Sequence, residues 1–251
     1  MVSYLTMENS VNTSLDVGLE SYIVSKNNID RNNIPDDAIY LLNKPFEWSS
    51  FKLVKRLKFY TKKKRVGHAG TLDPLATGLM IICTGKCTKM IEQIQNLSKT
   101  YTGVFNFGKT TPSFDLETEF DNTYEYSHIE KQQIQETIKL FKGDVVQTPP
   151  QYSAIKVNGT RAYKKARIGE YIEIKSRTIH IYEFEVDGEL PDLNFEVKCS
   201  KGTYIRTLAN DFAKKLESGC YLTELKRTEI GFFNIENAFE IEELKEILGY
   251  E

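Results

Sequence analysis

Val66-Gly67-His68-Ala69-Gly70-Thr71-Leu72-Asp73-Pro74 contains Asp73, the one carboxylate between Glu47 and Glu92, and that interval also carries ten Lys or Arg. Opposite charges nearby keep such an acid ionised, and a basic loop favours an anionic partner. The pattern fits a carboxylate that works on a nucleic acid. From spacing alone a plainer reading stays open, in which Asp-Pro starts a turn and Gly67 and Gly70 supply backbone freedom. Outward from this stretch the elements are mixed. Before it, residues 38–42 read as a short apolar strand ended by Lys44-Pro45. Ser49 or Ser50 can then N-cap a helix whose Phe51, Val54, Leu57 and Tyr60 recur at helical spacing, with Lys52, Lys55, Arg56 and Lys58 on the other face. After it, residues 79–84 read as a buried strand and Met90, Ile91 and Ile94 mark a short helix.

Further on, residues 99–107 alternate as a strand, with Tyr101, Gly103, Phe105 and Phe107 on one side. Ser127-His128-Ile129-Glu130 reads as a capping box for a helix through Ile134, Ile138 and Phe141, which Gly143 can end. Pro149-Pro150 opens an extended segment and Asn158-Gly159 signals a turn. Residues 171–186 suffice for two strands or one bent one, and Leu193, Phe195, Val197 and Cys199 alternate. Tyr204, Leu208, Phe212 and Leu216 trace an amphipathic helix, residues 220–233 look extended, and 241–248 form a last short helix. Strands grouped between helices without a βαβ rhythm imply an α+β fold around a mixed, largely antiparallel sheet flanked by helices. Residues 1–37, polar and Asn-rich with a weak apolar patch at 15–24, are expected to be an extension, and 38–251 one catalytic domain.

The chain has 251 residues, 40% of them hydrophobic, with 14 Phe and 14 Tyr, enough for a substantial core. No apolar run approaches membrane-spanning length and no signal peptide is apparent, so no membrane association is expected. The four cysteines, Cys83, Cys87, Cys199 and Cys220, form no CxxC pair; reduced thiols in a cytoplasm fit best, and no metal site is expected. The net charge of −2 hides segregation along the chain. Residues 48–91 hold the ten basic residues and Asp73, and 145–169 hold five basic residues and no carboxylate, whereas acids collect at 115–136, 183–196 and 236–251. Gly103 to Thr110 spells GVFNFGKT and satisfies the G-x-x-x-x-G-K-T phosphate-loop pattern, yet its first glycine sits inside the alternating strand and Pro112 follows where a helix should begin.

Several motifs in register carry a resemblance. Lys44-Pro45, GHAGTLDPLATG from Gly67 to Gly78, Gly85-Lys86-Cys87-Thr88-Lys89, Lys99-Thr100-Tyr101, Pro149-Pro150-Gln151-Tyr152-Ser153-Ala154-Ile155-Lys156 and Cys199-Ser200-Lys201-Gly202-Thr203-Tyr204-Ile205-Arg206 stand in the order seen in the TruB family of tRNA pseudouridine synthases. The resemblance implies a pseudouridine synthase fold and isomerisation of the T-loop uridine conventionally numbered 55. By it, Asp73 resembles the catalytic aspartate, Tyr101 the tyrosine that stacks on the target base, and Arg206 the arginine that pairs with the aspartate. His68 resembles a histidine that helps hold the RNA open, and Leu225 an apolar contact near the nucleotide. With the basic segments, the candidate RNA contacts are Lys44, His68, Lys63, Lys64, Lys156, Arg161 and Leu225. Taken singly, Tyr101 is equally a sheet aromatic, Arg206 a surface base, Leu225 plain core and His68 a loop filler.

The chemistry so implied breaks the C1′–N1 bond, turns the base, joins C1′ to C5 and releases the C5 proton. Nothing is oxidised or hydrolysed, so no cofactor is expected; a carboxylate that adds to C1′ or C6, or takes a sugar proton, suffices. The expected partner is the T arm of transfer RNA, with the protein a monomer; the alternative is a protein that binds or refolds transfer RNA without modifying it. Two features depart from the family. Glu47 stands where glycine usually follows Lys-Pro-x, and after Phe233 only a short acidic helix remains, too little for the C-terminal accessory RNA-binding domain of some relatives.

Overall fold

Strand β4 (Thr77–Thr84) is buried at seven of its eight positions, because its almost unbroken apolar run can be covered on both faces. The computed structural model describes residues 20–29, 34–157 and 159–250, which divide into two units, residues 20–29 and 34–100 with 226–250, and residues 101–157 with 159–225. In the first unit β4 is the central strand. One side pairs antiparallel with β2 (Ile39–Lys44), which in turn pairs parallel with the short β1 (Ile23–Val24). The other side is divided. β3 (Val66–His68) covers Ile82 to Thr84 antiparallel, while Lys226 and Arg227 of β13 (Cys220–Ile230) lie parallel to Thr77 and Gly78. The Asp73 loop leaves β3 and re-enters β4, and its return is beside β13. Gly78 is required there: its φ is +110°, and a Cβ would meet the Arg227 carbonyl oxygen at 2.3 Å. β14 (Phe233–Asn234) folds back on β13.

Helix α1 (Ser50–Thr61) forms where the sequence predicts it, with Ser49 as N-cap accepting from the Lys52 N–H at 3.1 Å. It buries Leu53, Val54, Leu57 and Tyr60, whereas Phe51, expected with them, is exposed on the side of the cations, Leu53 taking its place in the apolar stripe. Helix α2 (Ile91–Asn96) contributes Ile94 to a core of Ile39, Leu41, Leu79, Ile81, Cys83, Leu97, Ile230 and Phe233, each such side chain contributing about 1.5–3 kcal/mol by leaving water.

In the second unit β5 (Lys99–Phe107), which enters it at Tyr101, is followed across the sheet by β12 (Asp192–Cys199), β11 (Arg177–Glu189) and β8 (Gly143–Gln147). β6 (Lys109–Thr110) with β7 (Asn122–Thr123), and β9 (Lys156–Val157) with β10 (Thr160–Arg161), are separate two-stranded pieces. Helices α3 (Lys131–Phe141), α4 (Ala162–Ala166) and α5 (Ile205–Lys215) complete the unit, and α6 (Ile241–Ile247) belongs to the first. An aromatic core joins β5, β11, β12, α3 and α5: Phe105 stacks on Phe195 at 4.2 Å between ring centroids, and Phe212 meets Phe184 at 5.5 Å and Phe141 at 5.9 Å, both edge-on.

The α+β expectation and the mixed, largely antiparallel sheet agree with this architecture: β1–β2 and β4–β13 are parallel, while β2–β4, β3–β4, β8–β11, β11–β12 and β13–β14 are antiparallel. Other expectations need correction. Within the segment expected as an extension, Ile23 and Val24 form β1, with Val24 buried, because two apolar residues suffice to continue the sheet past β2. Residues 1–19 lie outside the described residues, as does Asn158 of the expected turn. The capping box of α3 is made by Glu130 and Gln133, three residues after Ser127, since a carboxylate accepts from the first-turn amides as a hydroxyl does. Gly103 to Thr110 runs through β5 into β6, and the next helix after Lys109 is α3, beginning at Lys131. No helix of the described residues is long and apolar enough to cross a membrane.

Candidate active site

In the first unit three side chains from distant parts of the sequence grip the loop around Asp73 by its backbone. Lys44 Nζ donates to the Pro74 carbonyl at 3.1 Å, and also to Pro45 at 2.9 Å and Trp48 at 2.7 Å. Ser50 Oγ donates to the Leu72 carbonyl at 2.8 Å and accepts from its N–H at 2.9 Å. Arg227 donates from Nε to Leu79 at 2.8 Å and from a terminal nitrogen to Gly70 at 3.3 Å. Gly70, Leu72 and Pro74 are thus held, with Leu72 buried and Asp73 half-buried between fixed neighbours. The Asp73 carbonyl accepts from the Ala76 N–H at 3.2 Å, so the Asp-Pro turn of the plainer reading is present and does not compete with a functional one. Lys44 is 0% exposed, and burial pulls its pKa down to about 8, with the negative charge of Asp73 opposing and Arg227 reinforcing the shift. Burial likewise lowers His68, the Gly70 backbone opposing and Arg227 adding.

In the second unit Arg206, 2% exposed in the first turn of α5, donates to the carbonyls of Ser113 at 2.9 Å and Tyr152 at 2.8 Å, and its Nε lies 3.5 Å from the buried Asp115 carboxylate. Gln147 at the end of β8 fixes the start of that helix, its amide donating to the Tyr204 carbonyl at 3.0 Å and accepting from the Tyr204 N–H at 2.8 Å. The Arg177 guanidinium lies 5.1 Å over the Tyr204 ring. Asp115 is held in turn, its carbonyl accepting from Thr111 Oγ1 at 2.6 Å and Ser113 Oγ at 3.1 Å and its carboxylate from the Glu117 N–H at 2.9 Å. A buried ion pair of this kind adds little net stability, and buried charges gather where chemistry is done. Tyr101 is buried at the start of this unit.

Comparison with known proteins bears on these two arrangements. A family model described as TruB family pseudouridylate synthase (N terminal domain) matches residues 57–205. The chain belongs to the TruB family. A protein named tRNA pseudouridine synthase B from Flavobacterium johnsoniae is 52% identical over 221 residues, covering 85% of this chain and 96% of that protein. Its namesake from Phocaeicola vulgatus is 46% identical over 223 residues, covering 86% and 95%. Among solved structures, the one titled "Crystal Structure of a Cbf5-Nop10-Gar1 Complex" gives a TM-score of 0.67 at 24% identity, a likeness of fold that covers 88% of this chain and 57% of that one.

The candidate TruB-family residues fall in both units. Asp73, Lys44, His68, Lys63 and Lys64 lie in the first, and Tyr101, Arg206, Lys156, Arg161 and Leu225 in the second. Lys44 is corrected from an RNA contact to a loop clamp, because its ammonium is buried on three carbonyls. Lys63 pairs with Asp36, which leaves Lys64 as the exposed cation of the two. His68 and Leu225 are half-buried. Lys156 and Arg161 face each other across β9 and β10, both exposed; like charges so placed repel and favour an anion between them. Glu47 takes φ +61°, so the loop keeps a left-handed residue although glycine is absent. Asp115 and Arg227 were not legible: Asp115 opens an acidic run that reads as solvated surface, and Arg227 follows Lys226 in a strand whose register only pairing reveals.

Proposed function

We propose that this chain converts the T-loop uridine numbered 55 of transfer RNA to pseudouridine, with Asp73 as the essential carboxylate, acting as a monomer in the cytoplasm. The supporting observation is the clamp on both sides of Asp73: Leu72 and Pro74 are fixed by Ser50 and Lys44, so the carboxylate is carried on a rigid backbone. Such preorganisation is what a group adding to carbon or accepting a proton needs. The lysine that clamps Pro74 also feels the Asp73 charge, which opposes the fall in the lysine's own pKa. The roles proposed for Tyr101, a stacking face and a hydroxyl, and for Arg206, a counter-charge, rest on the family motifs. The surroundings of Arg206 support its role, since Asp115 and two carbonyls fix the guanidinium in one orientation. Lys64, Lys156 and Arg161, exposed and basic, are proposed to meet phosphates, and His68 and Leu225 to border the extruded base. The deciding experiment incubates the purified chain with unmodified transfer RNA and maps pseudouridine by site. Product at position 55 is expected; binding without product would favour the non-catalytic alternative, and product elsewhere would move the substrate assignment.

A further inference from the structure

The outer face of α1 has a composition that the clamp and the fold do not use. Phe51 and Phe59 are each 64% exposed, and Phe46 in the preceding turn is 54% exposed. Lys52, Lys55, Arg56 and Lys58 share this face, and among the described residues none of the four is ion-paired. Three of these charges lie instead on rings: Lys52 Nζ is 4.1 Å from the Trp48 centroid, Lys55 Nζ 4.8 Å from that of Phe51, and Arg56 5.9 Å from that of Tyr60. Such contacts order the cations without neutralising them. Single exposed apolar residues are ordinary, but Phe51 and Phe59 among four cations on a helix that carries no acid form a patch.

We infer that this face is a further RNA contact for unpaired nucleotides, whose bases stack on Phe51 and Phe59 while their phosphates meet Lys52, Lys55, Arg56 and Lys58. The inference rests on the proposed RNA substrate and extends its grip beyond the reacting nucleotide. The patch adjoins the candidate site within the same unit, because Ser50 bonds to Leu72 and Lys44 joins the Trp48 and Pro74 carbonyls. Phe51 and Phe59 are eight residues apart, about 12 Å along the helix. That matches roughly three to four nucleotides at ~3.4 Å each. A duplex offers phosphates but hides its base faces, so it uses the cations and leaves the rings idle; an unpaired strand uses both. A membrane would need a broad apolar face, whereas the broad apolar face of α1, Leu53, Val54 and Leu57, is buried in the core.

The test measures binding of the full-length chain to a labelled uridine dodecamer and to a blunt RNA duplex of the same length. Phe51→Leu with Phe59→Leu keeps apolar bulk and removes the aromatic faces. It should weaken the single strand by about fivefold or more, leave the duplex unchanged, and be reversed by Trp at both positions. Lys55→Ala with Lys58→Ala should weaken both RNAs and flatten their salt dependence. Single-strand binding that ignores the leucine pair, equal weakening of both RNAs by it, or Phe-dependent binding to phosphatidylserine vesicles in place of RNA overturns the inference. Binding is read without turnover. A wild-type chain that makes no pseudouridine therefore defeats the proposed function, while a productive chain with Phe-independent single-strand binding defeats only this inference.

Discussion

The Asp73 loop and the Arg206 pocket solve one problem, holding a charged side chain still, by opposite means. Around Asp73 the cations Lys44 and Arg227 are spent on backbone carbonyls, so the loop that carries the acid is held. Around Arg206 the cation itself is held, by two carbonyls and a buried carboxylate. The first arrangement positions a group by fixing its chain. The second fixes the group directly and makes its partner indispensable, since a buried charge left alone is costly.

Changes in the two regions should therefore differ in kind. The largest effect is expected for Asp73→Asn, which keeps shape and clamps but removes the charge. Turnover on transfer RNA should fall about a thousandfold or more while RNA affinity and melting temperature stay near wild type. Near-normal turnover would end the assignment of Asp73. Next, Asp115→Ala strands a buried guanidinium and should cost about 3–5 kcal/mol in denaturant unfolding. A loss below that of the Lys44 variant would erase the contrast drawn above.

Lys44→Met should cost less, about 1–3 kcal/mol, because it leaves carbonyls and not a charge unanswered. It also has a pH signature. The folded pKa of Lys44 lies near 8 and the unfolded one near 10.5, so between these values the unfolded chain binds more protons and wild-type stability should rise with pH. Comparing unfolding of wild type and variant at the two ends of that window checks it; the variant should lack this component. The smallest effect is expected for Glu47→Gly, where relief of the left-handed strain outweighs the added chain entropy and stabilises by about 0.5–1 kcal/mol. Thermal melting decides it, and a destabilised variant would show that the Glu47 side chain contributes more than its backbone costs.

Much of the site was legible because it is local. Asp73 stands out as a lone acid among bases, α1 follows from periodicity and a serine cap, and β4 and β5 from apolar run and alternation. Asp115 and Arg227 were hidden because each matters only through a partner far along the chain: Asp115 through Arg206, Arg227 through Gly70 and Leu79. Lys44 was misassigned for the same reason, as a sequence shows that a lysine is present but not that three carbonyls surround it.

By itself the sequence determined the α+β class, the basic face of α1 and the candidate carboxylate Asp73, since side-chain period and charge spacing are properties of short stretches. Tertiary structure alone decided which cations are consumed inside the protein and which stay at its surface. Burial and hydrogen-bond partners come from residues distant in sequence, and desolvation makes an interior ammonium depend on carbonyls to accept its hydrogen bonds, whereas an exposed one on α1 keeps its hydration.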